Sequence, residues 1–124
     1  MSNRPLRTGP VIDIHVHLVR RHFPAEGVPW ELTLTVEQLI ARMDREGIDI
    51  AVLLPLEGAD AFYEYYLTAE ALADAARFPE RLVPFCHLDP RQLNYLPERT
   101  VLARLERMAQ AGARGFGEHK VGLP

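Results

Sequence analysis

The run VIDIHVHL, Val11 to Leu18, sets one aspartate and two histidines into an otherwise apolar stretch. Side chains of an extended strand alternate between its faces. Ile12, Ile14, Val16 and Leu18 therefore go to one face for hydrophobic packing, and Val11, Asp13, His15 and His17 to the other. Polar groups on a buried face are costly unless something pairs with them. Imidazole is a common ligand of zinc and similar divalent ions. Histidines two residues apart on a strand share a face, so His15 and His17 can both reach one ion. Asp13, beneath them on that face, either orients a ligating imidazole or holds an interior hydrogen bond.

The rest of the chain supplies elements to position these groups. A breaker-rich stretch, VRRHFPAEGVPWELTL, reads as a long loop. A helix follows in TVEQLIARMDREG, with Thr35 and Gln38 at capping-box spacing, Val36, Leu39, Ile40 and Met43 on one stripe, and Gly47 as its stop. IDIAVLLP is a buried strand ended by Pro55. GADAFYEYYLTAEALADAARFPE predicts a second helix capped by Asp60, with Phe62, Tyr65, Tyr66, Ala69, Leu72, Ala73 and Ala76 on one stripe. RLVPFCHLDP predicts a third strand, PERTVLARLERMAQAG a third helix, and ARGFGEHKVGLP a fourth strand.

Strand starts near residues 11, 49, 82 and 115 lie 38, 33 and 33 apart. An eightfold α/β barrel of about 250 residues needs about 31 per unit. The alternation of strands and helices predicts a parallel sheet. A doubly wound sheet would carry a glycine-rich loop after its first strand, and HVHLVRRHF has none. The predicted fold is a partial (β/α)8 barrel of about four parallel strands and three helices.

Composition narrows the setting. The 124 residues suit one domain with a sizeable core, and 48% apolar with 25% charged residues is ordinary for a soluble protein. A net charge of -3 gives no reason to expect nucleic acid or an acidic membrane surface as partner. No run approaches a membrane span, and MSNRPLRTGP has no apolar stretch behind it to serve as a secretory signal. The lone Cys86 cannot form an internal disulfide, which points to a cytoplasmic setting.

At IDIHVHL the sequence resembles the D-x-H-x-H signature that opens the amidohydrolase superfamily, especially its amidohydrolase-related branch. The resemblance implies a distorted (β/α)8 barrel, metal-dependent hydrolysis (decarboxylation in some members), and His15 and His17 as metal ligands. Many members add a glutamate or carboxylated lysine from the fourth strand. GARGFGEHKVGL occupies that place, and its FGEHKVGL is similar to the fourth-strand GE pattern of the related metal-dependent deoxyribonucleases. This implies Glu118 as the third ligand, with Lys120, of the same parity, as the alternative. His119 faces the other way in a regular strand and packs or caps there.

Other candidates are open to two readings. His87 and Asp89, ending the third strand in FCHLDPR, contact substrate or form a strand-end histidine and an Asp-Pro turn. Cys86 has the opposite parity and is read as buried structure. His22, Trp30 and the Arg20-Arg21 pair lie in the first loop, where they line a barrel mouth and meet an anionic substrate or are simply solvated. Glu57, after LLPL, is equally open.

The resemblance covers nearly all of residues 1–124 but about half of the family's domain. The family's later ligands, from its fifth, sixth and eighth strands, have no counterpart before Pro124. The expectation is the N-terminal half of a zinc-dependent hydrolase acting on an amide, ester or lactone carbonyl of a small molecule, inactive alone. The alternatives are a metal-dependent non-oxidative decarboxylase of the same branch and a non-catalytic half-barrel. A half-barrel leaves its outer strand edges unpaired and uncovers Val11, Phe85 and Phe116, so a homo-oligomer or a complementing half-barrel is the expected partner.

Overall fold

Thr35 starts the first helix as its sequence requires. Its hydroxyl accepts the Gln38 backbone N–H at 3.3 Å, and the Gln38 side chain accepts the Thr35 N–H at 2.9 Å. Gly47 ends the helix in the left-handed region at φ 71°, where a side chain would be strained. The computed structural model describes residues 8–18, 21–22, 34–57 and 64–119. In chain order its elements are β1 (Ile12–Val16), β2 (Arg21–His22), α1 (Val36–Glu46), β3 (Ile50–Leu53) and β4 (Glu64–Tyr65). There follow α2 (Thr68–Arg77), β5 (Leu82–Cys86), α3 (Pro90–Leu93), α4 (Glu98–Gln110) and β6 (Gly115–Phe116).

Four strands form one parallel sheet in the order β1-β3-β5-β6. The order follows the chain without the reversal that defines a doubly wound sheet. It is a partial α/β barrel, as the strand spacing predicts. Because every pairing is parallel, the C-terminal ends of all four strands lie on one side, and that side receives His15, His17, His87 and Glu118.

The core forms where α1 and α2 meet the sheet. Val36, Leu39 and Met43 pack with Val16, Leu18 and Leu53, and Ala71 and Ala75 of α2 with Leu82. The alanines let α2 approach the sheet closely, and each methylene buried is worth about 0.8 kcal/mol. The expected packing face of β1 is only half realised: Val16 and Leu18 are buried, but Ile12 and Ile14 are 49% and 74% exposed. The buried core takes in Val16 and Leu18 together with Val36, Leu39 and Met43 of α1, and includes neither Ile12 nor Ile14.

Three predicted boundaries need correction. The second helix begins at Thr68, and Glu64–Tyr65 instead pairs antiparallel with Arg21–His22 while Tyr66 bridges to Leu56. Tyr66 is buried there and its hydroxyl donates to the buried Asp74 carboxylate at 3.0 Å, so an aromatic stripe that suits a helix is spent on a ribbon and its anchor. The expected cap Asp60 and Phe62 lie outside the described residues. Before the third helix, Asp89 caps the short α3, and α4 itself, Glu98–Gln110, buries no residue. The fourth strand is two residues long rather than running into the terminus.

Candidate metal centre

His15 and His17 reach their common point through a break in β1. Between Asp13 and Val16 the strand advances three residues while its partner advances two, Ala51 to Leu53, so one extra residue bulges from the ladder. The Asp13 carboxylate accepts the His15 backbone N–H at 3.0 Å and satisfies a donor in that interrupted stretch. Asp13 thus supports the backbone of the first histidine.

His15 Nε2 and His17 Nε2 stand 2.9 Å apart, and Glu118 Oε2 lies 2.9 Å from the first and 3.1 Å from the second. These three residues are the group among the described residues whose donor atoms could hold a metal ion. The side chains are 55%, 24% and 32% exposed for His15, His17 and Glu118, so the group opens to solvent.

The remaining nitrogen of His17 decides what the cluster can do. His17 Nδ1 lies 2.8 Å from the Leu54 carbonyl, just beyond β3. A carbonyl only accepts, so Nδ1 carries the proton and Nε2 of the neutral ring keeps its lone pair. That lone pair faces a carboxylate oxygen and a second imidazole nitrogen. Such convergence is repulsive unless a proton or a cation sits among them. The spacing suits an ion: donors about 3.0 Å apart can all lie about 2.0–2.2 Å from one centre. Two imidazoles and a carboxylate are a donor set for zinc and its divalent neighbours, and the carbonyl behind His17 is the kind of outer partner that fixes a ligating ring. The residues fit a divalent metal.

One solved structure shares the fold. A probable 2-pyrone-4,6-dicarboxylic acid hydrolase of Acinetobacter baumannii, solved with citric acid bound, superposes with a TM-score of 0.54 at 18% identity. The match covers 87% of this chain and 37% of that one. The likeness is one of fold. An Agrobacterium tumefaciens protein solved in its apo form gives a TM-score of 0.49 at 20% identity, over 86% of this chain and 35% of that one. This chain thus spans little more than a third of either structure's length. No protein-family model and no curated protein matches the sequence.

The other predicted residues fall around the same strand ends. His87 and Asp89 are both buried. Asp89 accepts the Arg91 backbone N–H at 2.9 Å and two guanidinium bonds at 3.0 and 2.7 Å, so it caps α3 and holds Arg91. The His87 ring stacks on Phe116 and meets His119 edge-on, at centroid distances of 6.5 and 5.9 Å. Burial pushes the His87 imidazole below its ordinary pKa, His119 adds to that, and Glu57 and Asp89 oppose it. His119 meets the Phe116 ring edge-on at 4.6 Å rather than facing away from it; it lies beyond the two-residue β6, where strand alternation no longer holds. Cys86 is buried, and burial raises its thiol pKa.

Glu57 takes a structural part. Its carboxylate accepts both the backbone N–H of Thr68, at 2.6 Å, and the Thr68 hydroxyl, and so satisfies the start of α2. The Thr68 oxygen in turn accepts the His87 backbone N–H at 3.1 Å. His22 is placed in β2, but its side chain, like Lys120, Arg20 and Trp30, lies outside the described residues. The carbonyl of Leu54 was beyond sequence reasoning, because any residue offers one; the signal was only that a strand ends beside Pro55.

Proposed function

We propose that this chain is the metal-holding half of an amidohydrolase-type hydrolase, with His15, His17 and Glu118 as ligands of a zinc ion. The observation that carries the reading is the convergence of three donor atoms within 3.1 Å, one with its lone pair fixed inward by Leu54. When bound, the ion supplies a Lewis acid and lowers the pKa of water towards neutrality for attack on a carbonyl. The two imidazoles and the carboxylate hold that centre at the open ends of β1 and β6, where barrel sites meet their substrates. The bulge in β1 and the Asp13 carboxylate set the rotation of the His15 segment, and the Leu54 carbonyl sets the His17 ring. Among carbonyl substrates of small molecules the reading favours a lactone, the class to which the pyrone named for the Acinetobacter neighbour belongs. The residue that removes a proton from water is expected on further strands of a completed barrel.

Zinc content of the purified, tag-free chain tests the ligand set. About one zinc per chain is expected in the wild type, with large loss in His15→Ala/His17→Ala and in Glu118→Gln. Equal stoichiometry in all three proteins would refute it. Incubation of a completed barrel with a lactone, scored for ring-opened acid against released carbon dioxide, separates hydrolysis from decarboxylation.

A further inference from the structure

Between α2 and α4, over the end of β5, lies a cavity of about 540 Å³ that none of His15, His17 and Glu118 lines. This is within the usual size of a small-molecule pocket. One wall is a stripe of α4. Arg107 and Met108 lie three and four residues after Arg104 and so share its face. The facing wall is the start of α2, with Leu67 and Leu72, and His87 and Leu88 close the space from β5.

The polar groups here are unevenly matched. Its two carboxylates are occupied, Glu57 by Thr68 and Asp89 by Arg91. The guanidinium groups of Arg104, half-buried, and Arg107, exposed, make no hydrogen bond or ion pair with any described residue. His87 is 5% exposed, and only its backbone N–H is bonded, to Thr68. Neither ring nitrogen of His87 has a hydrogen-bond partner among the described residues. A buried polar group without a partner is expensive and rare in native proteins. Two guanidiniums without counter-charges, an unsatisfied imidazole and leucine walls together match a ligand with an acidic head and an apolar body.

We infer that this cavity binds an amphipathic organic acid, its carboxylate held by Arg104 and Arg107 beside the His87 ring, its apolar body against Leu67, Leu72 and Met108. The neutral His87 ring adds one N–H donor to the head without requiring a second charge. Arginine is suited to this task because its planar fork meets a carboxylate bidentately. None of the three proposed metal ligands lines this cavity.

Octanoate is the probe, titrated into the metal-free chain and followed by calorimetry. Saturable binding is expected, with octanol (same length, no charge) and acetate (head alone) each at least about tenfold weaker, since a charge-assisted pair is worth a factor of that order. Arg104→Gln/Arg107→Gln, checked for retained helicity, should weaken octanoate by a similar factor, and His15→Ala should bind it as the wild type does. That last arm keeps the inference separate from the metal reading. Absence of saturable octanoate binding, octanol binding as tightly as octanoate, an unchanged double variant, or loss in His15→Ala would each overturn it. The octanol comparison needs no variant and decides even if the arginine changes unfold the chain.

Discussion

The His17 ring is fixed to a strand other than its own: its Nδ1 lies 2.8 Å from the backbone carbonyl of Leu54. This bond joins the residues that directly follow β1 and β3, which are paired in parallel, and it selects the tautomer. In the metal-free chain above pH 7.5, two-bond nitrogen–proton correlation spectra should show His17 protonated at Nδ1. A ring protonated at Nε2 would mean that the nitrogen facing Glu118 is not available as a ligand.

Gly115 carries a second expectation. A Cβ built there would collide with the tip of the Phe85 ring. Gly115→Ala must therefore swing that ring or shift β6, and overpacking of this kind costs about 1–3 kcal/mol. Because Glu118 follows three residues later, zinc affinity should fall although no ligand is touched. Denaturant melts and zinc competition should both recover in Gly115→Ala/Phe85→Leu, where the ring is gone.

His87 gives the chain a pH dependence with a definite sign. Its folded pKa lies below the ordinary 6.5, chiefly through burial, so the unfolded chain binds the proton more readily. The stability it contributes is complete above about 6.5 and is lost as pH falls through the lower folded value. Thermal melts from pH 8 to pH 5 should show this loss, and His87→Phe should flatten it.

Cys86 should be slow to alkylate. Its thiol is buried, and burial with a nearby Glu57 carboxylate raises its pKa, which starves it of thiolate. Iodoacetamide at pH 7.5 should label it only at the rate of opening, and quickly once denaturant is added. Rapid labelling of the folded chain would contradict the burial.

Met43, 1% exposed in the α1–sheet core, tests the packing. Met43→Ala should cost about 2–5 kcal/mol by chemical denaturation.

The sequence made the parts that depend on local chemistry legible. Thr35 and Gln38 reveal a capping box because both partners lie within one turn, and Gly47 reveals a stop because only its conformation is at issue. His15 and His17 declared themselves by parity, and Glu118 by the resemblance of its surroundings. The bulge that aligns the histidines was not legible, since it depends on how β1 meets β3. Tyr65 and Tyr66 suit a helical stripe, but pairing of Tyr65 with Arg21, more than forty residues earlier, and of Tyr66 with Leu56 overrides that preference. The cavity arginines were invisible for the same reason, as nothing local says that α4 faces α2 across a gap.

The weak seating of α4 has a thermodynamic consequence. A helix that buries no residue adds little to the free energy of the folded body, and its amides should exchange with deuterium well before those of α1 or β3. Beyond it, β6 is held to β5 by only two residue pairs. Glu118 therefore follows a lightly held strand, while His15 and His17 belong to the end of β1, which pairs with β3 in the main sheet. A cation captured between them would act as a stitch: any affinity gained by the three ligands is also spent on suppressing local opening of residues 98–119. Slower exchange in that segment on adding zinc, with the rest unchanged, would be the mark of such coupling.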